Sequence, residues 1–372
     1  MPRVLHIYKD FYPPIVGGIE KHLNLLCRGI SDEYQVRVLV ANRENQLSIE
    51  HYGAVEIVKA PCRRRLASAP VAPMFPQLIR DWPADIVHFH MPNPTGELAW
   101  MVSRAKGRVV ATYHSDIVRQ KWMGKLYAPF QYLFMAGTDM ILPTSPHYLE
   151  SSKWLRRFKH KCNVIPLGID LKPFADSPER MQRAGAIRLR HGGPLILFVG
   201  CLRYYKGLDY LIEAMSGVDA TCLLIGEGPE REKLERQIAT LGLRRKVLLL
   251  GGLPDQAVAD HLQAADVFCL PSHLRSEAYG LSQIEAMASG TPVVSCRLDT
   301  GVPFVNVDGV TGFTCEPANA LALRDCLNRL LQNDDLRREM GEQARARAMS
   351  QFSAENMIMR VKKVYENVLS RI

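Results

Sequence analysis

The chain has 372 residues, 47% hydrophobic and 23% charged, the composition of a globular protein with room for two domains of roughly 150–200 residues each. No apolar run approaches the ~18 residues of a membrane span; the richest, "YAPFQYLFMAGTDMIL", is broken by Pro129, Gly137 and Asp139. The formal charge of +9 lies wholly in the first half, where residues 1–175 hold 23 Lys+Arg against 14 Asp+Glu, while residues 176–372 hold 24 of each. Two readings fit a basic half: an anionic partner (nucleic acid, acidic lipid or a phosphorylated substrate) or a solvated face that is merely basic.

In chain order, "MPRVLHIYKDFYPP" reads as a first strand and not as a charged leader before a long apolar stretch. Strand-like runs at 4–8, 35–41, 54–60, 85–90, 108–114, 140–145 and 163–168 alternate with amphipathic helical segments. A second series begins at 194–200 and runs through "ATCLLIG", "KVLLLGG", "DVFCLPS", "TPVVSC" and "TGFTCE". This alternation predicts parallel sheets with crossover helices. Residues 171–192 are polar and strandless and mark the domain boundary, giving domains at 1–170 and 193–353 joined by that linker. The predicted fold class is α/β, two Rossmann-like doubly wound domains facing across a cleft. Ligands of such sheets bind beyond the carboxyl ends of the strands, so the loops after strands are where chemistry belongs. Nine cysteines without a C-x-x-C pair, several in apolar runs, predict free buried thiols in a reducing cytoplasm.

Several of those loops carry candidate residues. Gly17-Gly18 lies between the first strand's loop and a helix, a phosphate-accessible helix start or a plain turn. "HFHMPNP" puts His88 and His90 on one strand face, but a metal needs three or four ligands and no partner stands at suitable spacing, so no metal site is expected. His114 ends the strand of "ATYHSD" and should face the cleft, as a catalytic or as a satisfied structural histidine. The segment after it mixes Arg119, Lys121 and Lys125 with Trp122, Met123 and Leu126, suited to an acidic lipid surface or to an ordinary lid.

In the second half, "FVGCLRYYKG" sets Arg203 and Lys206 three apart on a strand-to-helix loop. There they can clamp a diphosphate and stabilise the charge on a departing nucleotide. Gly226 and Glu227 of "GEGPEREKL" follow the next strand, a place to meet a base or ribose, though without the third glycine of a dinucleotide fingerprint. In "RSEAYGLSQIEAMASGTPVV" the amides near Tyr279, Gly280 and Leu281 open a helix and make an anion site. Glu277 stands just before it and Glu285 roughly 7–8 Å further along the axis. Two acceptors flanking a phosphate site suit a nucleotide-sugar; the alternative is a solvated and a capping glutamate, which are common. No D-x-D occurs, so a metal-held diphosphate is not indicated.

Assembled, these residues resemble a retaining glycosyltransferase of the GT-B type, in the bacterial group called group 1 or family 4, over nearly the whole chain. The resemblance rests on E-x7-E with its tail (Glu277, Glu285, Gly290, Pro292, Val293), on Gly17, Gly18 and Glu20, on Arg203, Lys206 and Gly207, and on His114 to Asp116. It implies that Glu277 binds the donor sugar and Glu285 the ribose. Arg203 and Lys206 would hold the diphosphate with the Gly18 backbone nearby, and His114 would lie by the reacting carbon. It further implies front-face transfer without a metal or other cofactor, and a C-terminal helix, 354–372, packed back on the first domain. Tyr279 stands where the family usually has Phe.

"LRYYKGLDYL", "SEAYGLSQIEAM" and "TGVPFVNVDGVTG" are similar to the mannosyl- and rhamnosyltransferases of bacterial O-antigen and surface polysaccharide synthesis. That similarity implies a GDP-mannose-like donor, a lipid-linked or oligosaccharide acceptor, no nucleic acid, and a cytoplasmic enzyme at the inner membrane face. The alternatives are a UDP-sugar donor with another acceptor, an epimerase on the same fold, and a non-catalytic nucleotide-sugar-binding subunit. A phosphorylase would need a longer chain and a lysine-bound cofactor.

Overall fold

A computed structural model describes residues 1–370 except 16, 67–68 and 118–120; the side chains of residues 66 and 121–123 are also outside the description. The chain divides into two compact units, Met1–Gly168 with Ala354–Ile372, and Ile169–Ser353.

Unit 1 is built on a sheet of seven described strands: β1 (Arg3–Ile7), β2 (Gln35–Ala41), β3 (Ser48–Tyr52), β4 (Val55–Ala60), β7 (Ile86–Met91), β8 (Arg108–Tyr113) and β9 (Met140–Pro143). A small antiparallel hairpin pairs β5 (Arg64–Leu66) with β6 (Ala69–Val71). The order is β3-β4-β2-β1-β7-β8-β9, parallel except for β3 against β4. Helices Gly18–Ile30 and Ala354–Leu369 pack on one another. Leu23, Leu26, Cys27 and Ile30 of the first meet Met357, Val361, Val364 and Val368 of the last in a fully apolar layer over the sheet.

Unit 2 has six described parallel strands: β10 (Leu195–Val199), β11 (Thr221–Ile225), β12 (Val247–Gly251), β13 (Val267–Leu270), β14 (Val293–Cys296) and β15 (Gly312–Cys315), in the order β12-β11-β10-β13-β14-β15. The central strands are buried continuous apolar runs because helices cover both faces of a parallel sheet.

Three expectations change. The stretch 171–192, expected as a linker, belongs to unit 2. Its helix Pro178–His191 is anchored by Arg180, which donates to Ser289 Oγ at 2.8 Å and to the Ala259 carbonyl at 2.9 Å, and by Arg183 on Asp260 at 2.7 Å. Residues 163–168 are not a regular strand, although the Asn163 and Ile165 amides donate to the Ile141 and Pro143 carbonyls; Pro166 has no N–H to continue the ladder. The edge strand β3 was not expected because "SIEHY" is mostly exposed and carries no apolar alternation.

Candidate active site

In each sheet the chain winds outward in both directions from one central pair of strands, β1 and β7 in unit 1 and β10 and β13 in unit 2. Such reversals open a crevice at the strands' carboxyl ends, where ligands of doubly wound sheets bind.

At the unit 2 crevice, the loops after β10 and β13 meet. Lys206 and Glu277 are both buried, with Nζ 2.6 Å from Oε2, and the same carboxylate oxygen accepts from Ser272 Oγ at 2.8 Å. Burial by itself would lower the Lys206 pKa, but the Glu277 carboxylate and the neighbouring Tyr205 outweigh it and the ammonium is held above its ordinary value. Lys206 therefore keeps its charge. The His273 amide donates to the Tyr205 carbonyl at 3.0 Å and fixes the two loops together. Arg203, three residues before Lys206 on the same loop, is exposed. Helix Leu281–Ala288 begins at Gly280, whose φ of +74° is left-handed, and Glu285 is half-buried on it.

Two expected residues turn out to have structural duties. Tyr279 is buried, its ring edge-on to Phe352 at 6.4 Å, and its carbonyl accepts from Gln283 Nε2 at 2.7 Å. Gly226 has φ +140°, and a Cβ there would sit 2.0 Å from the Gly200 carbonyl oxygen, so the glycine is demanded by the neighbouring loop. Glu227 beside it is exposed and pairs with Arg231 at 3.0 Å.

At the unit 1 crevice, Gly17 caps helix Gly18–Ile30, and the Glu20 carboxylate folds back on it; a Cβ at Gly17 would meet Glu20 Oε2 at 2.1 Å. That helix start carries its own carboxylate, whose pKa burial raises. His114 is buried, and its Nε2 is 3.1 Å from His90 Nδ1. His90 Nε2 in turn is 3.1 Å from His6 Nδ1, while His88 bonds Tyr365 Oη at 2.5 Å and Thr112 Oγ1 at 2.7 Å. His22 of helix Gly18–Ile30 lies edge-on to His90 and His114. Burial pushes His6 down to about 3, helped by His22, and His22 down to about 4. His88, His90 and His114 are also lowered by burial and by their imidazole neighbours, so all five rings are neutral at pH 7.

This corrects the expectation that His88 and His90 lack partners. His6, His22 and His114 join them to give two triads, His6/His88/His90 and His22/His90/His114, each with ligating atoms within 4.8 Å of one another. The sequence contained His6 and His22, but strand register and helix docking bring them together, and neither has a local signal. Glu97 was missed for the same reason. It is buried at a helix start, accepts from the Asn93 amide at 2.8 Å and from the Tyr127 hydroxyl, and burial pushes it up to about 7 against those bonds.

Residues 182–347 match the family described as Glycosyl transferases group 1, and residues 16–173 match Glycosyltransferase Family 4. The chain is 33% identical over 372 residues to O-antigen chain mannosyltransferase C of Escherichia coli, covering 99% of both chains. It is 35% identical to the D-rhamnosyltransferase WbpZ of Pseudomonas aeruginosa, covering 95% of this chain and 92% of that one. Among solved structures, sucrose-phosphate synthase from Thermosynechococcus elongatus superposes with a TM-score of 0.85 at 20% identity, covering 100% of both chains. HepE of Anabaena, in complex with UDP and glucose, gives 0.79 at 18% identity and covers 99% of this chain and 100% of that one. These neighbours share the GT-B fold with this chain. The chain belongs to the group 1 glycosyltransferases, and its activity is glycosyl transfer.

Proposed function

We propose that the protein transfers a hexose from a nucleoside diphosphate sugar, GDP-mannose-like, to a lipid-linked or glycan acceptor, with retention of configuration and without a metal on the diphosphate. The observation that carries this reading is the buried Lys206–Glu277 pair at the unit 2 crevice, with Arg203 on the same loop as Lys206 and Glu285 on the helix that follows Glu277. Arg203 and Lys206 supply the positive charge that a divalent ion would otherwise bring to the diphosphate. Glu277 takes the sugar hydroxyls and Glu285 the ribose.

In the reaction, the bond from the anomeric carbon to the leaving phosphate oxygen breaks with its electron pair going to the diphosphate. The acceptor oxygen attacks on the same face, and its proton passes to that phosphate oxygen. His114 acts through its main-chain carbonyl, because its ring is committed to the buried imidazole stack. The Escherichia coli mannosyltransferase and the Pseudomonas rhamnosyltransferase to which the chain is similar support a mannose- or rhamnose-type donor, and the similarity to a phosphatidyl-myo-inositol mannosyltransferase of Mycobacterium leprae (29% identity) supports a lipid-linked acceptor.

Among the described residues no helix is long and apolar enough to cross a membrane. Contact with an acidic inner membrane face is supported instead by helix Lys121–Gly137, where Leu126, Phe130 and Leu133 are 74%, 46% and 56% exposed at helical spacing, next to Lys125. Arg119 of the expected lipid-facing segment, and the side chains of Lys121, Trp122 and Met123, lie outside the described residues.

The test is transfer from GDP-mannose, other GDP-sugars and UDP-glucose to a lipid-linked acceptor, with no divalent ion added and again with Mg²⁺. NMR coupling would identify the anomer formed. The reading expects a GDP-sugar, retention and equal rates in both buffers. Transfer from the UDP-sugar alone would replace the donor, inversion would remove the front-face mechanism, and dependence on Mg²⁺ would remove the metal-free clamp.

A further inference from the structure

The imidazole rings of the five buried histidines of unit 1 are not used by the transfer mechanism, and they are costly as they stand. Among the described residues, neither ring nitrogen of His22 has a hydrogen-bond partner, and His6 Nε2 and His114 Nδ1 also lack one, although all are buried. A buried polar atom left without a hydrogen bond is destabilising. We propose that His22, His90 and His114 form a binding site for a single transition-metal ion of the Zn²⁺ class.

The geometry selects this triad over the other. His88 spends both nitrogens on Tyr365 and Thr112, so the set His6/His88/His90 can ligate only by breaking two buried hydrogen bonds. In the chosen set, His90 Nδ1 and His114 Nε2 already point at one another at 3.1 Å. Two nitrogens bound to one tetrahedral zinc at 2.0–2.1 Å stand roughly 3.3 Å apart, close to the separation seen here, so an ion set to one side of the His90–His114 line replaces the shared proton once each ring turns its lone pair toward it. His22 supplies the third nitrogen from within 4.8 Å, and both of its nitrogens lack a partner among the described residues.

An all-imidazole set favours Zn²⁺, Ni²⁺ or Cu²⁺ over the oxygen-preferring Mg²⁺ and Ca²⁺. His90 and His114 stand at the carboxyl ends of the paired strands β7 and β8, the end of a doubly wound sheet at which ligands generally bind. His6, bonded to the far nitrogen of His90, orients that ring, the usual task of a residue behind a metal ligand. The ion would tie helix Gly18–Ile30 to the ends of β7 and β8; it takes no part in holding the donor diphosphate.

The experiment uses the full chain, produced without a histidine tag and stripped of metal. Titration with Co²⁺ should give the visible absorption of a tetrahedral site at a single ion per chain, and Zn²⁺ should displace it and raise the unfolding midpoint by several degrees. X-ray absorption on the zinc-loaded wild-type protein should count three imidazoles, a readout that needs no variant. His22→Gln should weaken Co²⁺ binding by roughly 100-fold or more, while His88→Gln retains the spectrum. Absence of a tetrahedral cobalt spectrum, a zinc shell without three imidazoles, or equal binding by His22→Gln would each overturn the assignment.

Discussion

The two units answer the same topological problem with opposite chemistry. Unit 2 places a charged pair, Lys206 and Glu277, where its winding reverses, over a core of Leu, Ile, Val and Phe. Unit 1 fills the corresponding place with neutral imidazoles, His6 on β1 facing His88 and His90 on β7. A charged pair suits a ligand that is itself charged. A neutral stack holds no fixed charge, and it makes the stability of its unit depend on pH.

That contrast breaks most visibly in acid. His6 and His22 have folded pKa values of about 3 and about 4, below the ordinary 6.5, so the unfolded chain binds more protons between those limits. Their contribution is present above pH 6.5 and is lost as pH falls, about 2 kcal/mol at pH 5 for each imidazole that stays neutral in the metal-free chain. All four tryptophans, Trp82, Trp100, Trp122 and Trp154, are in unit 1, so their fluorescence follows that unit alone. Urea unfolding read by fluorescence should lose stability steeply from pH 7 to pH 5, while far-ultraviolet dichroism retains a less sensitive unit 2 component. Parallel losses by both probes would erase the distinction.

Next in size is Glu277→Gln, which removes the charge facing buried Lys206. The transfer rate constant should fall about 10²–10³-fold, the scale of losing one preorganised electrostatic contact, with a much smaller change in donor affinity. Steady-state kinetics separates the two, and an unchanged kcat would show that the pair is structural. Glu97 gives the opposite pH sign within unit 1. Its pKa of about 7 exceeds the ordinary 4.5, so it is neutral and without cost at pH 4.5 and opposes folding increasingly up to pH 7. Glu97→Gln should match the wild type near pH 4.5 and be more stable by about 1–3 kcal/mol at pH 8, by chemical denaturation. The smallest effect belongs to exposed Arg203. Arg203→Ala should weaken nucleotide diphosphate binding about tenfold at low salt and less at high salt, by calorimetry, since an exposed charge is screened.

Much of unit 2 was legible because its information is local. The run "PLILFVG", the loop carrying Arg203 and Lys206, and the helix that follows Gly280 each show their element and chemistry within a few residues. That Lys206 would pair with Glu277 was not legible, because 71 positions separate them and only the β10–β13 neighbourhood joins them. Gly226 was visible as a loop glycine, but its reason, the Gly200 carbonyl of the adjacent loop, is tertiary. Unit 1 hid more. A histidine in a strand carries no mark of which strand lies beside it, so His6, His22 and His114 could not be gathered around His90 before the register was known. The helix at 178–191 misled for a different reason: its polar face suggested a linker, while its anchoring comes from Arg180 and Arg183, residues that ordinarily mark solvent.

The central claim is that the unit 2 crevice holds the donor diphosphate through Lys206. Calorimetric titration of GDP and UDP into the wild type and Lys206→Met, in buffer without divalent ions, tests it most directly. The account predicts that the wild type binds GDP and that the variant, still folded by its unchanged dichroism, binds it roughly 100-fold more weakly. Equal affinity in the two proteins, or no binding of either nucleotide by the wild type, would contradict it.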